Sequence, residues 1–228
     1  MNTLARNRNR NRKRSIDTIG PAERDQRLVW RIAALLLDYP AAQTLAMVGQ
    51  LIAAATELPV SVGAPLLGFL DEIRSADPLQ LAARYVETFD MRRRATLHLT
   101  YYAYGDTRKR GMALLRFKHA YRQAGIQLGD GELPDYLPLV LEFAATIDYS
   151  QGRRLLGEHV PVLELLRLSL VDSGSCYADV LAVVLSTLPP ISTADRRRIA
   201  ELAAQGPPDE DVGLEPFAMD PLTAGGRR

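Results

Sequence analysis

The sequence predicts an all-α protein, a single helical-bundle domain with a disordered tail at each end. Three observations carry that expectation. Apolar residues recur at three- and four-residue spacing through most of the chain, prolines, glycines and capping residues punctuate those segments, and no convincing strand-like alternation interrupts them.

Residues 1 to about 22 alternate arginine with asparagine and lack apolar periodicity, so they are expected to form a disordered basic leader. Residues 23–205 make the helical domain. Leu28, Ile32, Leu35 and Tyr39 share one helical face, and Pro40 stops that helix. Leu45, Val48, Leu51 and Ile52 mark a second helix, and Leu66, Leu67, Leu70 and Ile73 a third. Asp77-Pro78 reads as an N-cap followed by proline in the first turn, opening a helix that buries Leu81, Tyr85, Val86 and Phe89. Residues 94–104 are expected to be helical up to Gly105, with Asp106 or Thr107 capping a helix on Leu114, Phe117 and Tyr121 that Gly125 closes. Leu133 to Pro138 forms an ordered loop into a helix at 139–147. Helices near 152–171 and 176–188 follow, then one from Ser192 to Ala204. The composition of 206–228 is that of a flexible acidic, Gly/Pro-rich tail.

At 228 residues, 47% of them hydrophobic, the chain can bury one substantial core. Its net charge of +1 hides an asymmetry. The first fourteen residues carry five Arg and one Lys with no acid, which leaves 22 basic against 27 acidic residues in the rest. A globally basic nucleic-acid binder is therefore disfavoured. The single cysteine, Cys176, excludes an internal disulfide, reads as a small buried apolar residue, and with three scattered histidines gives no metal-ligand spacing. No apolar run approaches a membrane span and no signal peptide is evident, so the expected location is the cytoplasm. Signatures of a nucleophile elbow, a phosphate-binding loop or a zinc protease are missing.

Candidate binding residues concentrate between 85 and 143. Arg92-Arg93-Arg94 suits an ion-pair or docking role, because the planar guanidinium matches carboxylate and phosphate. Tyr101, Tyr102 and Tyr104 point around nearly a full helical turn and so cannot all face one core. In ELPDYLP the prolines fix the backbone before a partner arrives, which lowers the ordering cost of binding, while Leu133, Tyr136 and Leu137 supply apolar contact.

LLLDYP (35–40), YVETFD (85–90), Arg93 with Leu97 to Leu99, Gly105-Asp106-Thr107-Arg108 with Arg110-Gly111, and Glu132 to Pro138 with Glu142-Phe143 together resemble the NarJ family across about 28–171. That family consists of cytoplasmic chaperones for assembly of molybdenum-containing nitrate reductase. The resemblance implies a TorD-like helical fold, no catalysis, and no cofactor of the chain's own, since the molybdenum cofactor belongs to the client. The implied partner is the N-terminal segment of the apo α (catalytic) subunit, with molybdenum cofactor biosynthesis proteins as further partners. An amphipathic client peptide would lie as a helix in an apolar groove lined by Tyr101, Tyr102, Leu133, Tyr136, Leu137 and Phe143, with Asp106, Asp135 and Glu142 at its rim and Arg108 beside it. Two other readings remain: a nucleic-acid-binding regulator that uses the Arg-rich leader, and a hydrolase that uses His98 and Asp106.

Overall fold

The computed structural model describes residues 21–105, 108–129 and 131–205. The expected basic leader, apart from its last two residues, and the expected tail at 206–228 lie outside the described residues, as do Asp106 and Thr107. Helix α1 spans Pro21–Leu36, α2 Ala42–Ala46, α3 Val48–Thr56, α4 Val60–Ser75 and α5 Pro78–Tyr85, the last continued by a π-helical turn at Val86–Asp90. A 3-10 turn at Arg93–Ala95 precedes α6, Tyr101–Tyr104, and α7, Arg108–Gln123. Then come α8 Leu137–Thr146, α9 Tyr149–Glu158, α10 Val160–Asp172, α11 Tyr177–Ser186 and α12 Thr193–Gln205. Among the described residues no helix is long and apolar enough to cross a membrane.

The centre of the bundle is α1 against α8, flanked by α9 and α11. Val29, Ile32, Ala33 and Leu36 form the buried stripe of α1, the i, i+3, i+4, i+7 pattern of an amphipathic helix. Trp30 is fully buried, where its indole N–H donates to Thr187 Oγ1 at 2.8 Å and its ring stacks on Tyr149 at 5.4 Å between centroids. The same core extends to α4, α5 and α11 through Phe69, Tyr85, Phe89 and Tyr177, with ring centroids 4.8–5.0 Å apart between Phe69 or Phe89 and Tyr177.

The helix α9 crosses α8 closely enough to require glycine. A Cβ on Gly152 would lie 2.3 Å from both Cα and Cβ of Ala144, which is backbone that cannot rotate away. Gly152→Ala is therefore expected to destabilise the protein by about 1–3 kcal/mol despite alanine's better helix propensity. A urea midpoint equal to or above wild type would refute that close approach.

Three stretches depart from the sequence expectation. Residues 94–104 are not one helix. After the 3-10 turn, His98 pairs with Tyr136 in an isolated antiparallel bridge, with Leu99 N–H donating to Asp135 O at 3.1 Å and Leu137 N–H to Leu97 O at 2.9 Å. Ala95, Leu97 and Leu99 are buried while Thr96 and His98 are half-buried, the period-two signature of extended chain. The expected 152–171 helix is two helices that meet at His159, because Pro161 sits in the first turn of α10. The second helix is likewise split, at Met47, into α2 and α3.

Candidate functional site

The short bridge brings the 96–100 and 133–138 segments together, and Asp135 fastens them. Its side chain is 0% exposed. Oδ2 accepts from Thr100 N–H at 3.0 Å and from Thr100 Oγ1 at 2.6 Å, while His98 Nδ1 lies 3.4 Å from Oδ1 and Arg110 Nη2 3.7 Å from Oδ2. Thr100 Oγ1 in turn accepts from Arg110 Nε at 3.3 Å, and the Arg110 guanidinium rests over the Tyr101 ring. Burial alone would push the Asp135 carboxyl up, but His98 and the two Thr100 donors outweigh it and hold the group below its ordinary value.

Asp135 is consequently not a rim carboxylate, which corrects the sequence expectation: two hydrogen bonds from Thr100 and the Arg110 guanidinium 3.7 Å away make burial of the anion tolerable. Three residues expected to line the groove are also interior. Tyr102 is buried and donates its hydroxyl to Arg94 O at 2.5 Å, Leu137 is buried at the start of α8, and Phe143 packs edge-on against Tyr121 at 4.7 Å. Tyr121 donates to Pro134 O at 2.8 Å, so α7 also braces the loop. Tyr101 is half-buried beneath Arg110, and Arg108 is exposed at the start of α7.

Beside this network an open cleft of about 580 Å³ lies between the C-terminal end of α1, the 131–136 loop and the first turns of α8. Its apolar lining comes from Ala34, Leu35, Leu133, Pro138 and Leu139; its polar edge comes from Arg31, Asp38, His98, Glu132, Tyr136 and Glu142. Of the expected site, Leu133, Tyr136 and Glu142 are therefore brought together here. Arg31, Leu35, Asp38 and His98 join them without having been expected there. Arg31, Leu35 and Asp38 occur at i, i+4 and i+7, a shared helical face that is legible in the sequence.

A hydroxyl relay ties the cleft to the core. Tyr136 OH donates to Asp38 Oδ1 at 3.0 Å and lies 3.0 Å from Tyr85 OH, which reaches Leu37 O at 3.2 Å. Burial pushes the Tyr85 phenol up to about 12, and burial pushes Tyr136 higher still, so both stay protonated as donors. Arg31 and Glu142 form an ion pair across the cleft edge. Tyr136→Phe would keep the ring and the bridge while removing the donor to Asp38; the expected cost is about 1 kcal/mol in urea unfolding, and a cost above about 3 kcal/mol would mean that the hydroxyl carries the segment pairing itself.

Within the arginine run, the Arg92 side chain reaches Glu87 at 3.4 Å, and the Arg94 carbonyl accepts from Tyr102. Cys176, expected to be buried, is half-buried in a separate polar cleft with Glu72 and Arg84, and burial pushes its thiol up to about 11.

The family model for the nitrate reductase delta subunit matches residues 55–182. The chain belongs to that family. Among curated relatives of this delta-subunit family chain, NarJ of Escherichia coli K12, named as a nitrate reductase molybdenum cofactor assembly chaperone, is 35% identical over 193 residues, covering 83% of this chain and 79% of its own. NarJ of Bacillus subtilis 168 is 33% identical over 165 residues, 72% of this chain and 90% of its own. The nitrate reductase-like protein NarX of Mycobacterium tuberculosis H37Rv is 46% identical over 162 residues, 70% of this chain; the chain spans only 24% of NarX. A crystal structure from Archaeoglobus fulgidus, assigned to the redox enzyme maturation proteins, superposes with a TM-score of 0.54 at 20% identity, covering 70% of this chain and 91% of that one. At that identity the likeness speaks to the fold, which is the all-helical one expected.

Proposed function

We propose that this protein is an assembly chaperone for a molybdenum-containing nitrate reductase, acting in the cytoplasm, and that its cleft holds the N-terminal segment of the enzyme's catalytic subunit while the molybdenum cofactor is inserted. Family membership and the likeness to NarJ support the chaperone role. The observation that carries the peptide reading is the cleft itself: an apolar floor of Leu35, Leu133 and Leu139 with Asp38, Glu132 and Glu142 at its edge. Its volume falls within the range of about 300–1,000 Å³ typical of preformed binding sites. An amphipathic helix would set its apolar side chains on that floor and its cationic groups against the carboxylates.

Bond-making chemistry is not part of the proposal. The thiol of Cys176 stays protonated near neutral pH and is a weak nucleophile in that state, while His98 faces the buried Asp135 and is bound into the fold. The hydrolase reading needed Asp106, and the nucleic-acid reading needed residues 1–14; both lie outside the described residues, and nothing in the family match favours either. Calorimetric titration of a synthetic peptide of the catalytic subunit's first residues into the full chain tests the reading. Saturable one-to-one binding in the micromolar range or tighter is expected, about 8 kcal/mol. A folded chain that takes up no peptide would refute it.

A further inference from the structure

Helix α7 carries a surface that neither the core nor the cleft uses. It buries only Phe117, Ala120 and Tyr121 along its length. Arg108, Lys109, Met112, Leu115, Lys118 and Arg122 are all exposed, Met112 at 70% and Leu115 at 47%. At 100° per residue, Arg108, Met112, Leu115 and Arg122 fall along one stripe, with the two lysines on its flanks. No acidic residue occurs from Arg108 to Gly129. Two large apolar side chains framed by cations suit a ligand that presents carboxylates and apolar groups together.

The chain contains such a ligand. Residues 208–222, PDEDVGLEPFAMDPL, hold five carboxylates and no cation, interleaved with Val, Leu, Phe and Met. Their attachment point is tied to α10: α12 ends at Gln205 and packs on α10 with Leu202 buried. The junction leading into α10 touches α7, with Arg116 paired to Glu158 at 2.7 Å and the Phe117 ring 5.2 Å from that of His159. A strand of about 17 residues can extend to about 55 Å, whereas α10 is about 20 Å long.

We propose that the C-terminal segment 208–222 docks in cis on the exposed face of α7, its carboxylates against Arg108, Lys109, Lys118 and Arg122 and its apolar residues over Met112 and Leu115. Tethering makes the encounter intramolecular, so individually weak contacts suffice. The docked segment shields a cationic, apolar face that would otherwise attract anionic surfaces or a second chain.

Carbodiimide cross-linking of the full chain at high dilution, followed by peptide mapping of the monomer, tests this. Links from Lys109 or Lys118 to Asp209, Glu210, Asp211 or Glu215 are expected, falling about five-fold in high salt. A full-length variant with Asp209→Asn, Glu210→Gln, Asp211→Asn, Glu215→Gln and Phe217→Ser should show amide exchange about three- to ten-fold faster at residues 109–116, with other helices unchanged. A monomer without helix-to-tail links, and with exchange unaltered in the variant, overturns the proposal. So do links confined to a dimer, which would assign the face to a second copy. Equal uptake by phosphatidylglycerol vesicles of wild type and variant overturns it too, since the face would then be open in the intact chain.

Discussion

Asp135→Ala is expected to lower the unfolding free energy by about 3–5 kcal/mol, the usual cost of removing one partner from a buried charge pair. The carboxylate accepts two hydrogen bonds, from the Thr100 N–H and hydroxyl, and has the His98 ring and the Arg110 guanidinium within ion-pair distance. Without it the Thr100 amide and a largely buried guanidinium lose their anion, and the bridge between His98 and Tyr136 loses its side-chain clamp. Thr100→Val, which removes only the hydroxyl, should cost less, about 1–3 kcal/mol. Urea midpoints at neutral pH measure both, and an Asp135→Ala loss below about 1 kcal/mol would show that the network contributes little to the fold.

Acidification provides an independent check on the same group. The folded-state value of Asp135 is depressed, so the unfolded chain binds more protons at intermediate pH. Its contribution is complete above the unfolded carboxyl value and disappears as pH falls through the folded one. His159 acts with the same sign in a higher window. Burial depresses its folded value below 6.5, so stability begins to fall as the unfolded ring protonates while the folded ring stays neutral. The pH-stability curve of Asp135→Ala should therefore be flatter than that of wild type in the carboxyl range.

Local chemistry in this chain is legible in its residues alone. Asp77 accepts from Leu79 N–H at 2.9 Å and from Gln80 N–H at 3.1 Å, as an aspartate before a proline-initiated helix should. Ser192 and Asp195 likewise cap one another's backbone. Long-range chemistry is not legible in that way. The alternation Ala95, Leu97, Leu99 is too short to outweigh helical expectation, and its pairing partner comes much later in the chain. An aspartate between Pro134 and Tyr136 reads as solvent-facing; only the arrival of Thr100 and Arg110 makes burial tolerable. Asp38 reads as part of the last turn of the helix that Pro40 is expected to stop, yet its carboxylate meets a tyrosine 98 residues onward.

Client binding should fall about ten- to a hundred-fold, 1.4–2.8 kcal/mol, in Leu133→Asp and in Leu139→Ala, with unfolding midpoints changed far less. Leu133 is 40% exposed on the cleft wall, so an aspartate there remains hydrated in the free protein. It becomes costly only when an apolar peptide face covers it without a partner for the charge. Leu139 is partly buried in the first turn of α8, and its truncation removes floor rather than core. Leu79→Ala, on the exposed face of α5, should leave affinity unchanged. Glu142→Gln separates packing from charge: it breaks the pair with Arg31, leaving an unneutralised cation at the cleft edge, and should weaken a peptide with cationic flanks more at low salt than at high. Wild-type affinity in both leucine variants, with the fold intact, would move the client off this cleft.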